Sequence, residues 1–159
     1  MNMREYRCED LDSVMAIANA AWQPIRKMSR EALGGAICDL LNPAGDAKSK
    51  GLQVKDQIDS GQYSIAVCEQ DGQIVGFITW RLEGSIGEIC NNAAQPDTGL
   101  KGIGQTMYSF VLEKFRQLGV KVAKVTTGLD WAHAPARRAY ERAGFKKHLD
   151  STTYYIELN

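Results

Sequence analysis

A glycine-rich segment in the second half of the chain has the composition of a phosphate-binding turn. It lies between a β-rich run and an amphipathic helical pattern, and it reads Pro96-Asp97-Thr98-Gly99-Leu100-Lys101-Gly102-Ile103-Gly104. At such a turn several backbone N–H groups converge at the positive end of a helix dipole. Glycine lets a ligand oxygen approach the backbone without meeting a Cβ, and Lys101 adds a positive charge. The segment therefore predicts a phosphate site, against the alternative of a turn that binds nothing.

Two familiar phosphate loops do not fit this segment. A Walker loop ends in Gly-Lys-Ser/Thr, and the dinucleotide fingerprint orders its glycines as GxGxxG. The order here is GxxGxG, from Gly99 through Gly102 to Gly104. A nucleotide-binding regulatory domain for ATP or NAD is therefore disfavoured.

Two motifs, in the same order along the chain, resemble those of the GNAT acetyltransferases. The family loop reads Pro, two variable residues, Arg or Gln, two more residues, and then Gly-x-Gly or Gly-x-Ala; Pro96, Gly102 and Gly104 align with it without a gap. Residues 133–145 are similar to the family helix Asn-x-x-Ala-x-x-x-Tyr-x-x-x-Gly-Phe. The resemblance covers about residues 86–158. Gly99 replaces the family's Arg or Gln and His133 replaces its Asn, so a side-chain contact to CoA differs at each place.

The resemblance implies a fold, a cofactor and a set of binding residues. The fold is the α/β acyl-CoA N-acyltransferase fold of the GNAT type, whose central mixed, mostly antiparallel sheet is flanked by helices. One domain would span residues 1–159, with an acceptor-side variable region at 1–60 and an acetyl-CoA-binding core at 86–145. Acetyl-CoA would be the acetyl donor, held by Asn92, Ala94, Gly99, Leu100, Lys101, Gly102, Ile103, Gly104, Gln105, His133, Ala136, Arg137 and Tyr140.

The implied reaction is direct attack of a primary amine of an unidentified acceptor on acetyl-CoA within a ternary complex. An alkyl ammonium has a pKa near ~10.4, so a base or a water chain must remove its proton first. Glu88 lies 16 residues before Gly104, a spacing similar to that of the general-base glutamate in the histone-acetyltransferase branch. The alternatives are that water takes the proton and that Glu88 is an exposed strand residue.

Tyr140 resembles the family tyrosine that protonates the departing CoA thiolate. Its phenol, with a pKa of about 10, can donate to a sulfur anion whose conjugate acid lies near ~8.5. The other interpretation is that Tyr140 packs in the core. The resemblance also implies that backbone N–H groups near Asn92 to Ala94, at a strand bulge, polarise the thioester carbonyl. Asn91 and Asn92 either orient the acceptor or accommodate that distortion.

The cysteines and histidines do not indicate covalent or metal chemistry. Cys90 lacks a spaced His-Asp partner that would activate it, so a buried strand cysteine is favoured over a nucleophile. Cys8, Cys38 and Cys68 are likewise expected to be buried reduced thiols. His133 and His148 have no nearby partner, so no metal is expected. Trp22, Trp131 and Tyr155 either line an acceptor pocket or pack in the core.

Hydrophobic periodicity and turn signals predict the elements that position these residues. We predict strands over residues 3–8, 63–69, 74–80, 86–94 and 120–129, and a closing hairpin of strands over 145–149 and 152–158. Helices are predicted from Leu11, capped by Asp10, to Ile25, over residues 29–41, from Ile103 to a stop at Gly119, and from Pro135 to a stop at Gly144. Residues 42–60 are expected to form a mobile loop with room for one short helix.

Composition bounds the remaining possibilities. The 159 residues carry 19 basic and 19 acidic side chains, which gives no field that would attract nucleic acid or an anionic membrane. Charged residues interrupt the N-terminus, and no run approaches the ~20 apolar residues of a membrane span, so a cytoplasmic protein is expected. Homodimers are common among similar enzymes, although one core can use all the apolar positions here. The main alternative to the enzyme is a non-catalytic, regulatory CoA-binding module.

Overall fold

A computed structural model describes residues 1–158 as a five-stranded sheet with helices on both faces. The strands are β1 (Asn2–Glu5), β2 (Ser64–Gln70), β3 (Gln73–Glu83), β4 (Ile86–Ala94) and β5 (Val122–Val125). The helices are α1 (Leu11–Ala21), α2 (Gln23–Leu41), α3 (Ser49–Asp59), α4 (Ile103–Gln117) and α5 (Ala134–Arg142). The predicted mixed α/β architecture is confirmed.

The strands lie in the order β1-β2-β3-β4-β5, and only the last pair is parallel. β2 and β3 form the predicted hairpin through Asp71-Gly72, whose φ angles of 52° and 77° suit a type I′ turn. The parallel connection from β4 to β5 runs through α4. β5 pairs with β4 only from Ile86 to Ile89, so the second half of β4 has no neighbour on that side.

Each face of the sheet has its own hydrophobic cluster. On one face, Val14 and Ile17 of α1 and Val54 of α3 pack against Val67 and Phe77. The other face is covered by α4 and α5, through buried side chains that include Ile103, Met107, Val111, Phe115 and Tyr140. Among the described helices, none has the length and apolar character needed to cross a bilayer.

The N-terminal helices differ from the prediction in three ways. α1 ends at Ala21 rather than running to Ile25, because Pro24 occupies the first turn of the next helix, α2. α2 begins at Gln23 and is kinked at Gly34, which has φ 79°. Asp10 directly precedes α1, but its carboxylate binds Arg4 and the amide of Arg7 and caps no amide of α1.

A regular helix, α3, replaces most of the loop predicted between residues 42 and 60. Gly51 favours a loop in the sequence, yet in the structure it permits close contact between α3 and α1. A Cβ at Gly51 would lie 2.7 Å from Asn19 Nδ2 and 2.9 Å from the Met15 carbonyl oxygen. The Gly51 amide donates to Asn19 Oδ1 at 2.7 Å. The glycine is thus a helix-packing residue, not a helix breaker.

The C-terminal part of the chain also departs from the prediction. β5 has four residues rather than ten, and the predicted closing hairpin is absent, because residues 145–158 form no strand. Strand pairing needs a partner as well as β propensity, and here Leu149, Tyr154 and Ile156 are 100%, 90% and 81% exposed. The expectation that Cys8 is buried is also wrong, since it is exposed while Cys38 and Cys68 are buried and Cys90 is half-buried.

Candidate active site

The glycine-rich segment ends at the N-terminus of α4 and leaves the first amides of that helix without a side-chain cap. Gly102 is the N-cap and has φ 85°, a left-handed conformation that costs a residue with a Cβ about 1–2 kcal/mol. Buried Ile103 anchors the first turn in the core, whereas Gly99, Leu100 and Lys101 are exposed. The uncapped amides point out of the N-terminus of α4, where the helix dipole is positive. This arrangement binds anions.

A second set of amides faces the gap beyond the end of β5. The Gln95 amide donates to the Val75 carbonyl at 2.8 Å, and Ala93 pairs with Phe77 in the same register. Antiparallel pairs alternate between those that exchange hydrogen bonds and those that do not. The amides of Asn92 and Ala94 therefore point away from β3, toward the side on which β5 has ended. A ligand in this gap can pair with the edge of β4.

Asn92 connects the two tyrosines that lie beneath this gap. Its Nδ2 donates to Tyr140 Oη at 3.0 Å, and its Oδ1 accepts from Tyr108 Oη at 2.8 Å. The two tyrosine rings lie 5.3 Å apart, and both residues are buried. Burial raises the pKa of Tyr140, and its polar contacts with Asn92 and Tyr108 only partly offset this. Tyr140 is therefore a protonated phenol at neutral pH and can act as a proton donor.

Tyr108 also connects this cluster to the phosphate turn. A Cβ placed on Gly104 would lie 3.4 Å from Tyr108 Cε2 and 3.7 Å from its hydroxyl oxygen. Gly104, Tyr108, Asn92 and Tyr140 thus form a continuous row from the helix N-terminus to the candidate acid. Sequence reasoning missed Tyr108, although its position one turn after Gly104 on the same helix face was a usable signal.

The predicted binding residues around α5 are largely engaged within the protein. Arg137 Nη1 donates to the carbonyls of Gly128 and Asp130 at 2.6 and 2.8 Å, and His133 Nδ1 lies 2.7 Å from Asp130 Oδ2. These contacts hold the segment between β5 and α5 in place. The Gln105 side chain donates to the Ala139 carbonyl at 2.9 Å and so joins α4 to α5. Ala136 packs against the core cluster on the α4 face.

Glu88 lies on the face of β4 opposite α4. Its neighbour Gly87 packs under Phe115 of α4, and side chains alternate along a strand. The Glu88 carboxylate is bound by Arg81 Nη2 at 2.7 Å and by Lys124 Nζ at 3.0 Å. Burial alone would raise the pKa of Glu88, but these two partners outweigh it and hold the pKa below its usual value. The carboxylate is therefore ionised at neutral pH and is a weak base.

A β-bulge interrupts β4 directly before Asn92. Ile78 pairs with Asn92 and Trp80 with Ile89, so Thr79 faces both Cys90 and Asn91. The Asn91 amide donates to Thr79 Oγ1 at 2.9 Å. The bulge at Cys90 and Asn91 thus lies directly before the stretch from Asn92 to Ala94, and the sequence analysis expected a bulge near that stretch. The half-buried Cys90 thiol has a raised pKa, caused first by burial and then by the Glu88 charge, which weakens it as a nucleophile.

A buried lysine lies on the same face of β4, and sequence reasoning missed it. Lys50 is 6% exposed, and its Nζ donates to Asn91 Oδ1 at 2.5 Å and Gln53 Oε1 at 2.8 Å. The same ammonium lies 4.1 Å from the ring centroid of Trp22. Burial, with a further contribution from the charge of Arg26, lowers the Lys50 pKa to about 8. No sequence signal marked this position, because its burial depends on contact between α1, α3 and β4.

The described part of the chain does not bring together side chains that could bind a metal ion. Within residues 1–158, no three His, Cys, Asp or Glu side chains come close enough together to hold an ion. The groups placed to bind a cofactor are the uncapped amides of α4 and the unpaired amides of β4, with the Asn92 and tyrosine cluster between them.

A family sequence model and one relative match most of this chain. Residues 34–145 match the sequence model of the Acetyltransferase (GNAT) family. The S-(2-succino)cysteine N-acetyltransferase of Bacillus subtilis strain 168 is 30% identical to this chain over 144 residues, or 86% of this chain and 78% of that protein.

Solved structures show the same fold at lower sequence identity. The PaiA N-acetyltransferase of Thermoplasma acidophilum, in complex with coenzyme A, superposes with a TM-score of 0.67 at 18% identity over 91% of this chain and 89% of that one. The ribosomal-protein-S18-alanine N-acetyltransferase of Escherichia coli has a TM-score of 0.65 at 16% identity over 93% of this chain and 79% of that one. The predicted acyltransferase fold is thereby confirmed.

Proposed function

The chain belongs to the GNAT family of acetyltransferases, and we propose that it moves the acetyl group of acetyl-CoA to a primary amine by direct attack within a ternary complex. The observation that carries this proposal is the row from Gly104 through Tyr108 and Asn92 to Tyr140. It joins a set of uncapped helix amides to a buried proton donor beside an unpaired strand edge.

Acetyl-CoA fits the two sets of free amides. The amides at residues 102–105 would bind the diphosphate, and the edge of β4 at Asn92 and Ala94 would pair with the amide groups of the pantetheine arm. The thioester would then lie beside Asn92, close to Tyr140. An amide of this strand edge would donate to the developing oxyanion.

Tyr140 would give its proton to the departing thiolate. A phenol whose pKa is raised by burial stays protonated at neutral pH, and the Asn92 amide, which donates to Tyr140 Oη, orients the hydroxyl. General acid catalysis of this kind contributes about 10²–10⁴-fold. Gln105 and Arg137 would support the site by holding α5 and the segment before it.

Removal of the amine proton remains open to two routes. Glu88 is ionised and lies on the face of β4 opposite α4, where the acceptor would bind, so it could accept the proton directly or through water. Its ion pairs with Arg81 and Lys124 weaken it as a base, which favours a route in which water carries the proton to bulk solvent. Replacing Glu88 separates the routes.

The alternative is a regulatory module that binds CoA and transfers nothing. Incubation of the protein with acetyl-CoA and a panel of amines, followed by free-thiol release and by product mass, tests both. The panel includes S-(2-succino)cysteine, the compound in the name of the relative from Bacillus subtilis. Amine-dependent thiol release with one acetyl group gained by the amine supports the enzyme. CoA binding without transfer to any amine supports the module.

A further inference from the structure

A buried cation, Lys50 of α3, lies against the face of β4 opposite α4, and no acidic side chain within residues 1–158 neutralises it. The Lys50 ammonium contacts the amide oxygens of Asn91 and Gln53 and the ring of Trp22, all of which are uncharged. Within residues 1–158, no carboxylate lies at ion-pairing distance from it. Burying an ammonium without a counterion is costly, so such a group is rare unless a ligand pairs with it.

A second cation, Arg26 of α2, lies near Lys50. Its Nε is buried and has no hydrogen-bond partner among the described residues. Asp46 is the acidic group that acts on it, but the Asp46 carboxylate makes its ion pair with Arg30. Burial lowers the pKa of Arg26, and the charge of Arg26 in turn lowers the pKa of Lys50. Two positive charges thus repel each other in a place from which water is partly excluded.

A cleft of about 560 Å³ lies beside Arg26. Arg26 lines it together with Gln53, whose side-chain oxygen accepts from Lys50. Ser49, also in the lining, has a buried hydroxyl without a partner in the described chain. Asp56 is the acidic residue of the lining, and one carboxylate oxygen of Asp46 is buried without a partner. The lining of the cleft thus holds two buried donors, Arg26 Nε and Ser49 Oγ, that have no acceptor among residues 1–158.

We propose that Arg26 and Lys50 bind a carboxylate of the acceptor, so that the substrate is an amino acid or another amine that carries at least one carboxylate. This rests on the proposed amine acetyltransferase function and specifies its substrate class. Lys50 contacts Asn91 on one face of β4, and Asn92 contacts the candidate acid Tyr140 on the other. Because β5 ends at Val125, opposite Ile89, the edge of β4 between these two faces is open. A carboxylate held at Lys50 would place an amine a few bonds away beside the thioester. A bidentate contact with Arg26 would fix its orientation.

Carboxylate binding can be measured apart from acetyl transfer. Succinate carries two carboxylates and no amine, and succinamide has the same shape without charge. Titration calorimetry of the CoA-bound protein with each compound is the test. We expect succinate to bind at least ten times more tightly than succinamide. Equal binding of the two compounds, or no binding of succinate, would overturn the proposal.

Three variants identify the binding groups. Lys50→Met keeps most of the side-chain volume, Arg26→Gln keeps a hydrogen-bond donor, and Lys27→Met removes an exposed charge from the same helix as Arg26. We expect the first two to weaken succinate binding at least tenfold and Lys27→Met to leave it unchanged. If Lys50→Met fails to fold, Arg26→Gln decides alone. Succinate affinity that survives in the folded variants contradicts the assignment.

Acetyl-transfer assays separate this inference from the proposed function. Aspartate and glutamate are compared with the amines in which their carboxylates are carboxamides. Transfer to the neutral amines with equal kcat/KM would overturn the carboxylate site and leave the acetyltransferase function standing. Succinate binding without transfer to any amine would keep the site and contradict the function. Intact-mass analysis covers self-acetylation, because an acetyl group found on Lys50 would make it a nucleophile and overturn its binding role.

Discussion

The side-chain nitrogen of Asn92, Nδ2, lies 3.0 Å from the Tyr140 hydroxyl oxygen and donates a hydrogen bond to it. This contact joins an exposed strand edge to the helix that follows β5, across 48 positions of sequence. Tyr140 Oη also lies 3.5 Å from Asn92 Oδ1, at the long limit of a hydrogen bond, so a ligand can accept the phenolic hydrogen in place of Asn92. The proposed acid chemistry depends on this arrangement.

Replacing Tyr140 with Phe should lower kcat by about 10²-fold, because the thiolate loses its proton donor. CoA affinity should change by less than about threefold, since the ring keeps its packing against Tyr108 and Phe145. Steady-state kinetics and CoA calorimetry check the two parts. Tyr154→Phe, at a residue that is 90% exposed, is the matched control and should retain full activity. An unchanged kcat in Tyr140→Phe would restrict Tyr140 to a packing role.

Replacing Glu88 with Gln should lower kcat/KM at pH 7 by about 10²-fold if Glu88 is the base. The loss should shrink as the pH approaches the pKa of the acceptor ammonium, near ~10.4, because a neutral amine needs no base. A pH profile of both proteins measures this. Glu83→Gln, at an exposed position of β3, is the control. A loss that is the same at every pH would indicate a structural role, and no loss would assign the proton to water.

The Lys50 pKa predicts a specific dependence of stability on pH. Burial lowers the pKa of Lys50 to about 8 in the folded protein, from an ordinary value of 10.5 in the unfolded chain. Between these values the unfolded chain binds more protons, so the free energy of unfolding should rise with pH. The gain is on the order of 3 kcal/mol between pH 8 and 10.5. Urea unfolding of wild type and Lys50→Met across this range measures it. The variant should lack the increment, and parallel curves would contradict the burial of a charged Lys50.

Replacing Gly51 with Ala should lower the free energy of unfolding by about 1–3 kcal/mol. The added Cβ meets Asn19 and the Met15 carbonyl and pushes α3 away from α1. Thermal or urea unfolding measures the effect. Gly35→Ala is the control, because a Cβ there meets one Arg30 atom at 3.6 Å, and it should be neutral or slightly stabilising. A Gly51→Ala protein as stable as wild type would mean that the helices separate without cost.

Local signals in the sequence were sufficient for much of this fold. The Asp71-Gly72 turn fixes the β2–β3 hairpin. Helix α4 begins directly after Gly102 and ends just before Gly119, as predicted. Helix α5 likewise has Pro135 in its first turn and ends just before Gly144. In each case the residue that determines the element lies within or beside it.

Features that depend on distant contacts were not predictable in the same way. Gly51 indicated a loop until its contact with Asn19 was known, and Lys50 is buried only because α3 packs near β4. In the sequence Tyr108 is one more residue of an amphipathic helix, and its role follows from its hydrogen bond to Asn92 in the structure. The prediction of a closing hairpin was wrong for the converse reason. The alternating apolar residues around Tyr154 and Ile156 favour a β-strand, but no strand pairs with them. Sequence therefore indicated the turn before α4 better than the face of β4 against which Lys50 lies.

The central claim is that the first amides of α4 bind the diphosphate of CoA, and CoA calorimetry on a glycine variant tests it most directly. Combining Gly102→Ala with Gly104→Val places side chains over those amides. A Cβ at Gly104 would lie at ordinary contact distance, 3.4 Å, from Tyr108, whereas Ala at Gly102 is strained by about 1–2 kcal/mol, so thermal unfolding first verifies that the double variant is folded. Ser109→Val, at an exposed position of the same helix, is the control. Wild type and the control should bind CoA alike, and the double variant should bind at least about tenfold more weakly, a loss of ~1.4 kcal/mol. Wild-type protein without affinity for CoA, or a folded double variant with full affinity, would contradict the claim.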